Sequence, residues 1–360
     1  GRPHGGRRVV LSRFLSAAPV CLSRAGAAVG QKKAGAKDWR RQPHDHKYYT
    51  EAWTAVREGE GGHIAFVNIL YSNIGVVSGS AAVRVSVSKP GESSKHFVHE
   101  YSIGEYGEDP KTGRIGVGAS WMALQGRTLT IHVKEADVKM DLVVKSWTDG
   151  VKWGDATMLS DEGGGRFAKA FFHVLRGDVA GELTLGKERV KFKGAAYVDH
   201  WVQNVLGTDY SSRWWIGRVF GSEYTLFFMT VRTREDFGDG MVHRMVLCKR
   251  GEVLLASDDY LLKADKKRKD PEGHEYDTRY KVQFKRGKLS GTAVLSGGKL
   301  FDREAILDQM NAAQRQIVRL IAGNPVTYRL RGKAAVQLVL DGTETRFDSS
   351  ALLESVVLED

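Results

Sequence analysis

Tyr197-Val-Asp199-His200-Trp201-Val-Gln-Asn204, followed by Ser211-Ser212-Arg213-Trp214-Trp215-Ile216-Gly217-Arg218 and Glu223-Tyr224-Thr-Leu-Phe-Phe-Met229-Thr-Val231, sets an acid, a histidine, an amide and several aromatics between runs with strand character. Side chains along a strand alternate between two faces, so these polar groups stand on an apolar β scaffold. That is the outline of a ligand-binding β barrel.

Outward from this stretch, period-two alternation over short runs, broken by Gly and Asp turns, dominates from His63 onward. Strands are expected at 63–71, 81–88, 128–134, 139–147, 169–175, 182–185 and 189–198. A second series is expected at 214–220, 223–233, 241–249, 252–257, 280–285, 288–295, 326–330, 334–340 and 344–347. Gly186-Lys187, Gly221-Ser222, Arg250-Gly251, Arg286-Gly287 and Asp341-Gly342 have hairpin-turn chemistry. Some sixteen strands are too many for one eight-stranded barrel and about right for two of ~150 residues each. The all-β reading therefore divides the chain into an extended basic tail over 1–47, a first barrel over 48–207 and a second over 208–360. One helix is expected over 302–322, with Asp302 as N-cap, apolar residues at helical spacing from Ile306 to Ile321, and Gly323 and Pro325 ending it. The charged segment 263–277, with Lys266-Lys-Arg-Lys269, reads as a solvated loop.

The chain has 360 residues, and its hydrophobic fraction of 42% suits a globular protein with ample core. Its net charge of +11 suggests nucleic acid until it is mapped. Residues 1–47 carry 11 Lys and Arg against Asp38 and Asp45, a net of +9, leaving only +2 for the remainder. The tail lacks the interleaved aromatics that a single-strand binder uses, so nucleic acid is not the favoured partner. Cys21 and Cys248 are too few and too far apart for a disulfide framework or a thiolate metal site. No run reaches about 18 apolar residues, so no membrane-spanning helix is expected.

Arg7-Arg8-Val-Val-Leu-Ser-Arg13-Phe-Leu-Ser-Ala-Ala-Pro-Val-Cys-Leu-Ser-Arg24 is rich in Arg, Ser and Ala and free of acids, the composition of an organellar transit peptide. Arg13 and Arg24 interrupt the apolar core that a secretory signal would need. As a docking segment, the tail would engage protein subunits of a larger complex or an anionic lipid surface.

Ile69-Leu-Tyr71-Ser72-Asn73-Ile-Gly75, Ser212-Arg213-Trp214, Glu223-Tyr224, Met229, Thr233, Phe237-Gly238 and Gly251-Glu-Val-Leu-Leu-Ala-Ser257 resemble the signature of the survival-factor-like lipocalin family. Tyr197-x-Asp199-His200 and the aromatic run Tyr48-Tyr49-Thr-Glu51-Ala-Trp53 resemble the carotenoid 1,2-hydratase (hydroxyneurosporene synthase) group. The resemblance covers residues 48–360. It implies two tandem lipocalin-like barrels and a lipid, polyene or other long apolar ligand, with members divided between enzymes and carriers. One departure stands out: the hydratase motif continues after Asp-His with an aromatic-Gly pair, whereas His200 is followed by Trp201-Val-Gln203-Asn204.

Only one of Asp199 and His200 can face a barrel interior. Facing inward, His200 would protonate an alkene or hold a hydroxyl; otherwise the pair satisfies backbone groups at the junction of the barrels. Tyr197, Trp201, Trp214 and Trp215 are candidates either to line the ligand cavity or to form core. Arg218 and Arg213 would clamp a head group or pair with Asp209 or Glu223. The resemblance places Tyr49, Glu51, Trp53, Tyr71 and Asn73 at one end of the first barrel, as pocket or packed rim. His44-x-His46 lacks further ligands for a metal. No phosphate-binding glycine motif or ordered hydrolase triad is present, so no cofactor is expected. Two functions remain. One is a non-catalytic, lipid-holding accessory subunit of a membrane-associated organellar complex, for example a mitochondrial respiratory complex. The other is a polyene hydratase or cyclase using Asp199 and His200, or a free lipid carrier.

Overall fold

The computed structural model describes residues 30–59, 61–73, 79–305 and 324–358, and its regular structure is almost wholly antiparallel β. Val138–Ser146 shows why: Val138, Met140, Leu142 and Val144 are buried while Lys139, Asp141, Val143 and Lys145 face outward. Each buried side chain of this size contributes about 1.5–3 kcal/mol over exposure.

Thr50–Gly59 pairs with Ile64–Ser72 on one side and Glu188–Gln203 on the other. The sheet continues through Ser80–Ser88 to Lys95–Ser102 at one end. At the other it runs through Phe167–Leu185, Val138–Ser146, Thr128–Lys134, Ser120–Gln125 and Arg114–Val117 to Tyr106–Asp109. Only one 3-10 turn, Ile103–Glu105, separates the two end strands in sequence, so the sheet curls into a nearly closed barrel with its seam there.

The second sheet repeats the plan. Ser211–Phe220 pairs with Tyr224–Thr233 and Thr343–Val357. One arm continues through Met241–Lys249 to Glu252–Ser257, the other through Val326–Leu340, Leu289–Ala305 and Glu275–Arg286 to Leu261–Lys269. Four of the five expected hairpin turns place a glycine at positive φ: Gly186, Gly251, Gly287 and Gly342.

Three differences from the sequence reading have physical causes. Residues 302–305, expected to begin a helix, end the strand Leu289–Ala305, where Phe301 is buried and Asp302 meets a cation from the neighbouring strand; 306–323 lie outside the described residues. The expected loop at 263–277 is largely an edge strand, Leu261–Lys269, and its hairpin return; its lysines suit an edge that must not pair with other chains. Residues 30–47, read as tail, belong to the first barrel: Gln31–Ala34 pairs with Gly150–Trp153, and Trp39 is buried in the barrel core. Residues 1–29 lie outside the described residues. Among the described residues no helix is long and apolar enough to cross a membrane.

Each barrel has its own apolar interior, and a third apolar cluster joins them, with Phe66, Phe172, Tyr197, Ile216, Phe220, Phe227 and Leu352 among its members. Beside it lies a buried ionic chain. The Arg329 guanidinium donates to Asp302 Oδ2 (2.6 Å), Glu304 Oε2 (2.7 Å) and Glu354 Oε2 (3.0 Å), while Arg218 donates to Glu354 Oε1 and His96 pairs with Asp302 at 2.9 Å. Burial alone would raise the Glu354 carboxyl, but Arg218 and Arg329 outweigh it and hold it below its usual range. His96 and Ser86 of the first barrel thus grip Asp302 of the second.

Removing one partner from such a network leaves buried charge uncompensated. We predict that Arg329→Met lowers unfolding stability by about 3–5 kcal/mol in urea titrations; a loss below about 1 kcal/mol would contradict the network's role.

Candidate functional site

Trp53 and His200 sit opposite each other on adjacent strands, and Glu51 is two residues before Trp53 on the same face. The Trp53 indole lies on the His200 imidazole, with centroids 4.4 Å apart and planes within 11°. Trp53 also stacks with Tyr106 at 5.8 Å, and Phe171 lies 5.3 Å from His200. Glu51 and His200 have no solvent exposure. Alternation along Glu188–Gln203 sends Ala196, Val198 and His200 into the first barrel and Tyr197, Asp199 and Trp201 toward the second.

The Glu51 and His200 side chains share one short hydrogen bond, 2.6 Å from Oε2 to Nε2. His200 Nδ1 lies 2.9 Å from the Asp38 carbonyl, which can only accept, so Nδ1 carries a proton. Burial raises the Glu51 carboxyl to about 9, against the opposing hydrogen bond from the Gln42 amide, and lowers His200 to about 4. The proton between them therefore rests on Glu51, which donates to His200 Nε2. The result is a neutral acid–imidazole pair in an aromatic chamber, in which neither buried group carries a formal charge.

Residues 35–49 close that chamber. Asp38 presents its carbonyl to His200, and the Gln42 amide donates to Glu51 Oε1 at 2.7 Å. Trp53 Nε1 donates to the Trp39 carbonyl and Trp39 Nε1 to the Gly113 carbonyl, both at 2.8 Å. Tyr49 donates its hydroxyl to Gln42 O, and Asn73 Nδ2 donates to the carbonyls of His44 and His46. Arg41 lies over Tyr71, 4.4 Å from the ring centroid, and Lys152 pairs with Asp38 at 2.7 Å. Trp39 is 1% exposed. Beneath this stopper, His173 packs edge-on to Trp39 at 5.0 Å; its Nε2 and the Tyr106 hydroxyl have no hydrogen-bond partner. Burial lowers His173 to about 3, so it stays neutral.

The residues singled out from sequence divide among three places. Tyr49, Glu51, Trp53, Tyr71, Asn73 and His200 gather at the mouth of the first barrel. Tyr197, Asp199, Trp201, Trp214 and Arg218 lie at the junction: Trp201 packs on Trp214 at 5.3 Å, and Arg218 lies over Tyr197 at 4.4 Å. Arg218 finds Glu354 as its partner, and Arg213 finds Asp277 at 3.1 Å, in place of Asp209 or Glu223. Burial lifts Asp199 to about 6 against the pull of Arg218. Trp215 belongs to the second barrel's core, where its Nε1 donates to Asp277. Asp199 and His200 are on opposite faces of their strand, and the acid that meets His200 is Glu51. Trp39, Gln42, Tyr106 and His173 were missed. A lone tryptophan in the basic run Ala36-Lys-Asp-Trp39-Arg-Arg41 was the one available signal.

The sequence profile of the Svf1 family matches residues 32–356, and the chain belongs to that family. No curated protein matches its sequence. Among solved structures, CghA crystallised with Sch210972 superposes with TM-score 0.61 at 13% identity, covering 87% of this chain and 89% of the other. An AttH-like protein of Nitrosomonas europaea gives 0.58 at 12% identity, covering 88% and 95%. Kievitone hydratase of Nectria haematococca gives 0.54 at 14% identity, covering 86% and 89%. These likenesses establish a shared fold.

The Glu51 proton has a measurable consequence. A carboxyl raised from an ordinary 4.5 to about 9 takes up a proton on folding, so its contribution is complete below pH 4.5 and is lost as pH rises toward 9. Glu51→Gln keeps both hydrogen bonds, because the amide NH2 can donate to His200, but does not titrate. Its stability relative to the parent should rise by about 2–3 kcal/mol between about pH 6 and pH 8 in urea titrations. Parallel pH profiles would show that Glu51 is ionised.

Proposed function

We propose that this Svf1-family chain is a non-catalytic binding protein for a lipid or other long apolar molecule, with the mouth of the first barrel as its ligand end. The observation that carries this reading is the engagement of the one acid–imidazole pair in the chamber. Both carboxyl oxygens of Glu51 and both nitrogens of His200 bond to each other or to the backbone of residues 38–42. A proton donor committed in this way holds a plug in place. The aromatic walls of Trp39, Trp53, Tyr71 and Tyr106 suit an apolar chain that enters when the plug yields. The Arg- and Ser-rich segment over 7–24 supports placing the protein in an organelle, peripheral to a membrane, as an accessory subunit of a larger complex such as a mitochondrial respiratory complex.

One observation favours a second reading, an enzyme that adds water to or cyclises a polyene. Glu51 keeps its proton at neutral pH beside an imidazole and an aromatic wall, as a general acid would need to. Kievitone hydratase shares the fold and is a hydratase.

The two readings part in one experiment. Full-length chain and its Glu51→Gln variant are extracted gently from the native membranes, sized, and analysed by native mass spectrometry for bound chains and small molecules. The binding reading predicts the same apolar molecule on both, in a particle with stoichiometric protein partners. A variant that carries a precursor differing by one water, or a cyclisation precursor of equal mass but different structure, would establish the enzyme. A free monomer with no bound molecule in either form would overturn the binding reading.

A further inference from the structure

At the far end of Thr50–Gly59 from Glu51, a cavity of about 620 Å³ opens between the two barrels. Its size falls within the range of small-molecule sites, about 300–1,000 Å³. The first barrel supplies the outer faces of its strands, and the second supplies Phe220, Arg331 and Ser350.

The lining is divided by chemistry. Val143, Ala180, Ala195 and Phe220 form an apolar floor. Val143 is unexpected there: its strand turns Lys139, Asp141 and Lys145 to solvent, yet at 143 it places a valine that is 41% exposed. Nothing in the barrel's own packing requires an outward valine.

Around that floor stand Lys145, Arg176, Lys193 and Arg331, against only Glu58 and Asp178. Both acids are already engaged, Glu58 with Ser350 (2.9 Å) and Arg331 (3.8 Å), Asp178 with Arg250 (3.1 Å) and Arg176 (3.7 Å). Arg176 is largely buried, held between Trp147 and Phe220 with ring centroids 4.7 and 5.8 Å from its guanidinium carbon. Arg176 donates through Nη1 to Gly177 O and shares Asp178 with Arg250, so the lining keeps a net positive charge beside the apolar floor.

We propose that this inter-barrel cavity binds a single-chain anionic amphiphile, with its carboxylate or phosphate head at Arg176, Lys145 and Arg331 and its hydrocarbon chain on Val143, Ala180, Ala195 and Phe220. The site is separate from the mouth of the first barrel and independent of the plug.

The test uses the full chain and the fluorescent polyene carboxylate cis-parinarate. Val143→Asp and Lys145→Glu alter outward-facing positions and should leave folding intact, as circular dichroism will check. Saturable binding is expected, weakened about tenfold or more by Val143→Asp and by Lys145→Glu. The methyl ester of the probe should bind more weakly than the acid. Unchanged affinity in both cavity variants would overturn the proposal and place the probe at the mouth. Inorganic phosphate that saturates the site with undiminished affinity in Val143→Asp would show a free-anion site and overturn the amphiphile.

Discussion

A β-strand can send each side chain to only one side, and Glu188–Gln203 stands between two differently filled spaces. Its inward residues, Ala196, Val198 and His200, complete the first barrel's core; its outward residues, Tyr197, Asp199 and Trp201, form part of the wall against which the second barrel packs. A register slip of one residue would carry the histidine into the junction and Asp199 into the aromatic chamber. The fifteen pairings with Phe167–Leu185 and ten with Thr50–Gly59 hold that register. Mouth and junction follow from it.

The two spaces handle buried charge in opposite ways. At the junction, Glu354 meets two guanidinium groups, which overcome burial and keep it ionised. In the chamber, Glu51 meets a neutral imidazole and a backbone amide, and burial dominates and keeps the proton on the carboxyl. The same residue type is thus a structural anion in one barrel and a neutral hydrogen-bond donor in the other. The neutral pair has a second effect: its remaining acceptor and donor are directed at residues 38–42, which bring Trp39 into the barrel.

Much of this was legible in the chain, wherever alternation was clean. Val138–Ser146, Tyr224–Thr233 and the glycine turns at 186, 251, 287 and 342 fall where the pattern placed them. That only one of Asp199 and His200 could face inward also followed from periodicity. Lys95–Ser102 and Leu261–Lys269 were not read as strands, because sheet-end strands with mostly exposed or half-buried positions lose the apolar alternation that marks a strand. The expected helix start at Asp302 was misplaced, because residues 302–305 continue a strand in which Asp302 pairs with Arg329, 27 positions away. Glu51 was placed at the mouth by family resemblance, but its partner was not: 149 residues separate it from His200, and no local pattern encodes so distant a contact.

The account rests on a neutral Glu51–His200 pair that holds the chain's own segment in the mouth of the first barrel. Nitrogen-15 NMR of the histidine rings in the full chain tests this most directly, with His200 assigned by its absence in His200→Gln. The account predicts a neutral His200 imidazole protonated at Nδ1 that does not titrate between about pH 5 and pH 8. A His200 that titrates near its ordinary 6.5, or carries its proton on Nε2, would contradict it.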